Sequence, residues 1–247
     1  MNNTQNGEIR VLHLYHDLMN LYGDWANVAI LVRTLAALGP GAVTDYKSVD
    51  DEIGFDSYDF VFIGSGTERS QRACMRDLER HAEYLNRQIE AGLHILATGN
   101  SHELFGRAIT DASGKRFKTL GLLDFETVQQ DSRVTGDCVY RASFLPGGLI
   151  GFINRAGGGQ QGSVERPFRL EMGPGADGKE NKEGIIYQNL LGTYMTGPVL
   201  VRNPPLLRHI VSLLYPGFGE LPADDPFFYY QEAAYQMALS ELTAKKS

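Results

Sequence analysis

Apolar positions along this chain come in short β-rich runs separated by stretches of helical spacing, and that rhythm sets the expected architecture. Ile9 to Tyr15 reads as a first strand, and His16 to Asp24 as a polar connection in which Asp24 is placed as a helix N-cap. Trp25, Val28, Ala29, Leu31, Val32 and Leu35 then recur at helical spacing until Gly39-Pro40-Gly41 ends the helix. Ala42 to Val49 and Tyr58 to Ile63 are the next strands, the second ending in Gly64-Ser65-Gly66-Thr67. Arg69 to Ala91 reads as one long amphipathic helix with Met75, Leu78, Ala82, Leu85 and Ile89 on a single face. It leads into a central strand that starts at Leu93 and breaks at a small polar turn, Thr98-Gly99-Asn100-Ser101. Helix-friendly residues follow, and Asn100 with Glu103 three positions on has the spacing of a capping box. This alternation predicts a mostly parallel sheet with helices on both faces.

Beyond the turn the pattern changes. Phe117 to Val128 and Arg133 to Phe144 are β-rich, with turns expected at Pro146-Gly147-Gly148 and Ala156-Gly157-Gly158-Gly159. Glu171 to Glu183, rich in glycine and charge, is expected to be a surface loop, and Gly184 to Leu191 a further strand. Asn203-Pro204-Pro205 opens a helix through Leu214, and Asp224-Asp225-Pro226 is placed as the cap of a last helix ending at Lys245-Lys246. With no internal repeat or low-complexity segment, residues 1–247 read as one domain, with a core over 9–215 and a C-terminal helical segment over 216–247.

Composition narrows the function classes. A formal net charge of −7 with no basic run argues against nucleic acid or an anionic membrane surface as partner. No apolar stretch is long enough to span a bilayer, and the first seven residues lack the features of a signal peptide, so the expected location is the cytoplasm. Cys74 and Cys138 make neither a disulfide framework nor a zinc signature and are expected to pack in the core or on a helix.

Candidate chemistry gathers at the carboxyl ends of the strands, where open α/β sheets place their ligands. Gly64-Ser65-Gly66 is either a tight strand-to-helix turn or a set of backbone N–H groups offered to an oxyanion or carboxylate. The turn after Thr98 has the geometry of a nucleophile elbow but contains no cysteine. His102 is expected on a helix surface, and Ser101 and His102, as sequence neighbours on a helix, do not face each other as a nucleophile–base pair. Gly192 to Pro198 is a second glycine-bracketed turn and holds no base.

These motifs together resemble the amidotransferase subunits of lipid II isoglutaminyl synthase (the GatD type), within the CobB/CobQ-like class I glutamine amidotransferases. The resemblance rests on His13-Leu14-Tyr15 with Asp17-Leu18-Met19-Asn20 and Tyr22-Gly23-Asp24-x-x-Asn27. It rests further on Gly64 to Gln71 against the family's Gly-Gly-Gly-Gln-Asp-Arg-x-Gln loop and on Leu122, Asp124 and Thr127. Arg133-Val134-Thr135-Gly136-Asp137 and Gly192-Thr193-Tyr194-Met195-Thr196-Gly197-Pro198 with Asn203-Pro204 complete it. It implies a single-domain three-layer α/β fold, no cofactor and no metal, glutamine as a ligand, and a Mur-ligase-like catalytic subunit as partner.

The departures fall on the catalytic positions. The family's elbow, Ile-Cys-Gly-Gly-Tyr-Gln-x-x-Gly, aligns its cysteine with Gly99, and its general-base histidine aligns with Thr196. Ser65 replaces a glycine of the oxyanion loop, Glu103 replaces the glutamine, and Phe152-Ile153-Asn154-Arg155 replaces Phe-Glu-Asn-His. Glycine has no nucleophilic atom and threonine is no base near neutral pH. The resemblance thus implies an amidotransferase-like subunit of peptidoglycan-precursor amidation without its own glutaminase. The alternatives are a glutaminase with a displaced nucleophile such as Ser101, or a module that senses glutamine or a related amino acid. Arg133 matches an arginine that the family places near its site, suited to a substrate carboxylate; an ordinary strand-end arginine is the other reading.

Overall fold

In a computed structural model, residues 7–174, 181–219, 221–222 and 225–244 are described. The chain begins with β1 (Ile9–Leu14), α1 (Trp25–Leu38), β2 (Ala42–Lys47) and β3 (Phe60–Ile63). Two helices follow, α2 (Glu68–Glu79) and α3 (Ala82–Ala91), and then β4 (His94–Thr98). A 3-10 segment, Gly99–Phe105, leads to β5 (Ala108–Thr110), β6 (Arg116–Lys118) and the long pair β7 (Phe125–Arg141) and β8 (Gly148–Gly162). The remaining strands are β9 (Phe168–Met172), β10 (Lys182–Glu183), β11 (Ile185–Tyr187), β12 (Leu190–Thr193) and β13 (Met195–Thr196). The chain closes with α4 (Val199–Arg202), α5 (Pro204–Leu214) and α6 (Pro226–Ala244).

A six-stranded sheet in the order β11-β12-β4-β3-β1-β2 forms the centre, parallel throughout except for the β11–β12 edge pair. Its inner strands β1, β3 and β4 are short and mostly apolar because both faces are covered, whereas the edge strand β2 has no buried residue. Along β3, Phe60 and Phe62 join the core shared with α1 and α5, while Val61 and Ile63 join the core shared with α2 and α3. A second sheet, β10-β9-β7-β5-β6, carries the β7–β8 ribbon, and β8 pairs with β13. The fold is thus α/β with a mostly parallel central sheet, as the apolar pattern predicts.

Several elements differ from expectation, each for a local reason. The expected 69–91 helix is two helices: at the break Arg80 folds back onto Asp77, and His81 lies edge-on to buried Phe55, ring centroids 6.0 Å apart. The glycine run 156–159 is not a turn but lies inside β8, opposite Val128 to Arg133, where β7 bulges. Gly184 to Leu191 is a hairpin, β11 and β12 joined at Gln188-Asn189, rather than one strand. Asp24 occupies the N-cap position without capping; Asn20 Oδ1 instead accepts the Trp25 N–H at 2.8 Å. At the last helix, Asp225 Oδ1 accepts from the Phe227 N–H at 2.9 Å. Asp224, Lys245 and Lys246, and residues 175–180 of the expected surface loop, lie outside the described residues, and the flanks of that loop are the strands β9 and β10.

Candidate active site

β3 and β4 are adjacent and parallel, so the loops that leave their carboxyl ends, 64–67 and 99–105, open side by side. Gly99 has φ +62°, the left-handed conformation of a strained elbow, which strongly favours glycine. A Cβ on Gly99 would lie 2.7 Å from Ser65 Cβ and nearer still to Ser65 Oγ. The Ser65 side chain therefore fills the volume that a residue with a side chain at position 99 would need. Ser65 is buried, and its hydroxyl has no hydrogen-bond partner among the described residues.

Two backbone donors of the 64–67 loop are already spent. Ser65 N–H donates to Asp24 Oδ2 at 3.1 Å, and Gly66 N–H donates to Asn100 Oδ1 at 3.0 Å. Asn100 Nδ2 returns a bond to Gly66 O at 2.9 Å, so the Asn100 amide clamps the loop through both of its ends. Gly64 lets this crowded corner form, since a Cβ there would meet Asp24 Cβ at 2.7 Å. Buried Asp24 has its carboxyl pushed up to about 6 by burial, against the pull of the N–H groups it accepts from. Thr67 Oγ1 accepts the Ser70 N–H at 3.0 Å and caps α2.

Asn100 and Glu103 do not form a capping box. The 3-10 geometry sends Glu103 inward, where it accepts from Gln71 Nε2 at 2.7 Å, Tyr194 Oη at 2.9 Å and Gln129 Nε2 at 3.2 Å. Burial pushes its carboxyl up to about 7, although those three donors and Arg155 favour the charged form. His102 is fully buried rather than on a surface. Its Nδ1 donates to Gly99 O at 2.7 Å, which leaves Nε2 to accept from Gln160 Nε2 at 2.9 Å. Burial pulls its pKa down to about 4 and keeps it neutral. Ser101 is also buried, its hydroxyl directed at Ile63 O and Thr98 O, 2.9 and 2.8 Å away. That places it beneath the turn, facing the backbone of β3 and β4, and it does not line the neighbouring cavity.

Thr196 and Arg133 meet these loops across a cavity of about 230 Å³ that is also lined by Ser65, Glu103, Asn154 and Arg155. Thr196 Oγ1 donates to Phe152 O at 3.0 Å. Arg133 stands half-exposed on the wall, its guanidinium donating to Asn154 Oδ1 at 2.8 Å, Asn154 O at 3.2 Å and Glu68 Oε1 at 3.1 Å. Ser65, Gly66, Arg133 and Thr196 thus line one cavity, and Gly99 lies against Ser65 behind it, with Gly64 next to Ser65 in the chain. Cys74 and Cys138 lie in the core, where burial raises both thiols. No group of three His, Cys, Asp or Glu side chains suited to a metal ion occurs among the described residues. Sequence reasoning missed the Asn100 clamp and the Glu103–Gln71–Gln129–Tyr194 cluster. The one signal available was that Asn100 and Glu103 both stand where the family's elbow has other residues.

A parallel sheet with an elbow after one central strand and a glycine loop after its neighbour defines the class I glutamine amidotransferase type of fold. Two solved structures share it. A glutamine amidotransferase matches with a TM-score of 0.52 and 15% identity, covering 82% of this chain and 98% of that one. A glutamine amidotransferase from Thermotoga maritima matches with a TM-score of 0.50 and 14% identity, covering 96% and 93%.

The chain belongs to the CobB/CobQ-like glutamine amidotransferase family, whose domain model matches residues 10–204. Among its relatives is the lipid II isoglutaminyl synthase (glutamine-hydrolyzing) subunit GatD of Staphylococcus aureus (strain N315). The two are 33% identical over 206 residues, 83% of this chain and 84% of the relative. The GatD subunit of Streptococcus pneumoniae (strain ATCC BAA-255 / R6) is 30% identical over 207 residues, 83% of this chain and 80% of the relative. No helix among the described residues is long and apolar enough to cross a membrane.

Proposed function

We propose that this chain is a GatD-type subunit in the amidation of lipid II glutamate that no longer draws nitrogen from glutamine. It pairs in the cytoplasm with a Mur-ligase-like catalytic subunit, which it serves as scaffold or regulator. The observation that carries this reading is the meeting of Ser65 with Gly99: the nucleophile is absent, and its place is filled. Thr196 at the base position and the Asn100 clamp on Gly66 point the same way, since threonine is no base near neutral pH and the Gly66 N–H is already engaged. The family's division of labour supports the partner, because both GatD relatives are named as subunits.

The test is ammonia release from glutamine by the purified chain, alone and with its ligase partner, beside amidation fed by ammonium salt. Background release with ammonium-supported amidation is the expected result. Glutamine turnover well above background would overturn the reading. A second reading, an amino-acid sensor, is favoured by the surviving cavity and by Arg133, which can take a carboxylate by exchanging Glu68 for it. Glutamine binding without turnover, lost in Arg133→Ala, would select it.

A further inference from the structure

A second cavity, also of about 230 Å³, lies at the opposite edge of the six-stranded sheet, where β3, β4 and β12 begin. Phe60, Leu96, Leu191 and Ile210 form its apolar walls, and Leu213 of α5, which also lines it, is 40% exposed to solvent. Among the described residues, His94 and His209 are the only ionisable side chains lining it. Burial lowers both, more than the nearby Asp59 raises His94, so each imidazole is neutral at pH 7 and offers one donor and one acceptor nitrogen. Phe144 lies against the His209 ring, centroids 4.9 Å apart and tilted by 37°.

The size and chemistry of this space select a ligand class. A dry cavity of about 150 Å³ holds benzene, so this one has room for a fused bicyclic ring. Walls of Phe60, Phe144 and two imidazoles favour a flat, aromatic occupant. No charged side chain lines it among the described residues, which disfavours a charged occupant, because a buried charge without a partner is costly. The rim also carries strain: Gln188 holds φ +49° at the first central position of the two-residue β11–β12 turn, a place that favours glycine.

We propose that this amino-end cavity is a second ligand site, built for a neutral bicyclic heteroaromatic molecule whose ring N–H or hydroxyl bonds to His94 or His209. The site is independent of the function proposed above. Its occupant touches His94 and Leu190, at the starts of two strands whose far ends, Thr98 and Thr193, adjoin the vacated elbow and the turn that carries Thr196.

The probe is indole, with indene, which has the same shape but no N–H, as control. Each is titrated into the full-length protein and followed by amide nitrogen–proton NMR. Saturable shifts at His94, Leu191 and Ile210, with a dissociation constant on the order of 1 mM or tighter, are expected for indole. Leu213→Trp, at an exposed lining position, should weaken binding at least about tenfold while melting like the parent; Ile186→Phe is the second blocking variant if it does not. His209→Phe should weaken indole by about fivefold, the loss of one neutral hydrogen bond, and leave indene unchanged. Shifts that fail to saturate or that map elsewhere would overturn the proposal, as would binding undiminished in both blocking variants. So would indene binding as tightly as indole with neither affected by His209→Phe.

Discussion

Placing the family's cysteine at position 99 by itself should damage the protein without conferring glutamine hydrolysis, and the size of the damage can be worked from the geometry. In Gly99→Cys, a non-glycine residue must hold φ +62°, which costs roughly 1–2 kcal/mol. The new Cβ must also fit 2.7 Å from Ser65 Cβ. Ser65 is pinned by its N–H bond to Asp24 and by the Leu21 N–H bond to its carbonyl at 3.0 Å, so it cannot retreat cheaply. Overpacking of this kind costs about 1–3 kcal/mol, which brings the single variant to roughly 2–5 kcal/mol. At about 2–4 °C per kcal/mol for a chain of this size, the melting temperature should fall by on the order of 10 °C. Ser65→Gly removes the overlap but not the backbone term. The double variant Gly99→Cys/Ser65→Gly should therefore recover about 1–3 kcal/mol of the loss, a coupling read from a double-mutant cycle by urea denaturation. Additivity within about 0.5 kcal/mol would refute the claim that Ser65 fills the nucleophile's place. The double variant should still leave glutamine unhydrolysed, because Thr196 supplies no base and Asn100 still holds the Gly66 N–H.

Three further outcomes follow from the same site. Asn100→Ala removes both bonds of the Gly66 clamp and should cost about 1–3 kcal/mol, with faster hydrogen exchange at the Gly66 amide; unchanged exchange would show that the clamp does not hold the loop. Ser101→Ala should lose about 1 kcal/mol of stability and leave any measured glutamine-dependent activity untouched, whereas an activity abolished by it would restore Ser101 as a nucleophile. Glu103→Gln should change the pH dependence of stability. Because the folded carboxyl is raised from 4.5 to about 7, the native state holds the extra proton between those values, so this group lowers stability as pH rises through that window and penalises the fold above it. The variant should therefore gain on the parent between about pH 5 and 8 in denaturant titrations. The comparison is taken as a difference because Asp24 acts in the same direction, while neutral His13 and His102 act in the opposite one. A difference that stays flat with pH would refute the raised Glu103.

What the sequence made legible was whatever depends on local periodicity. The central strands and α1 stand where apolar spacing put them, because each buries a face and burial is what the spacing records. Periodicity failed where two structures share one pattern. An apolar register that runs on from Leu78 to Leu85 and Ile89 cannot reveal a break at His81, and a run from Ile185 to Leu191 looks the same as one strand or as a tight hairpin. The glycines at 156–159 signalled a turn, but opposite a bulge they serve a strand. At the site the limit was the same. Asn100 and Glu103 have capping-box spacing, yet three residues per turn carries Glu103 into the core, whereas an α-helix would have left it beside the cap. Ser65 and Gly99 each read as a departure from the family pattern. That the one occupies the space of the other depends on β3 and β4 lying side by side, a relation between two strand ends that no single stretch of sequence contains. On the proposed reading, a nucleophile missing by itself could be regained by one substitution; one whose place is filled from the neighbouring loop requires two, and the Asn100 clamp and Thr196 raise that number further.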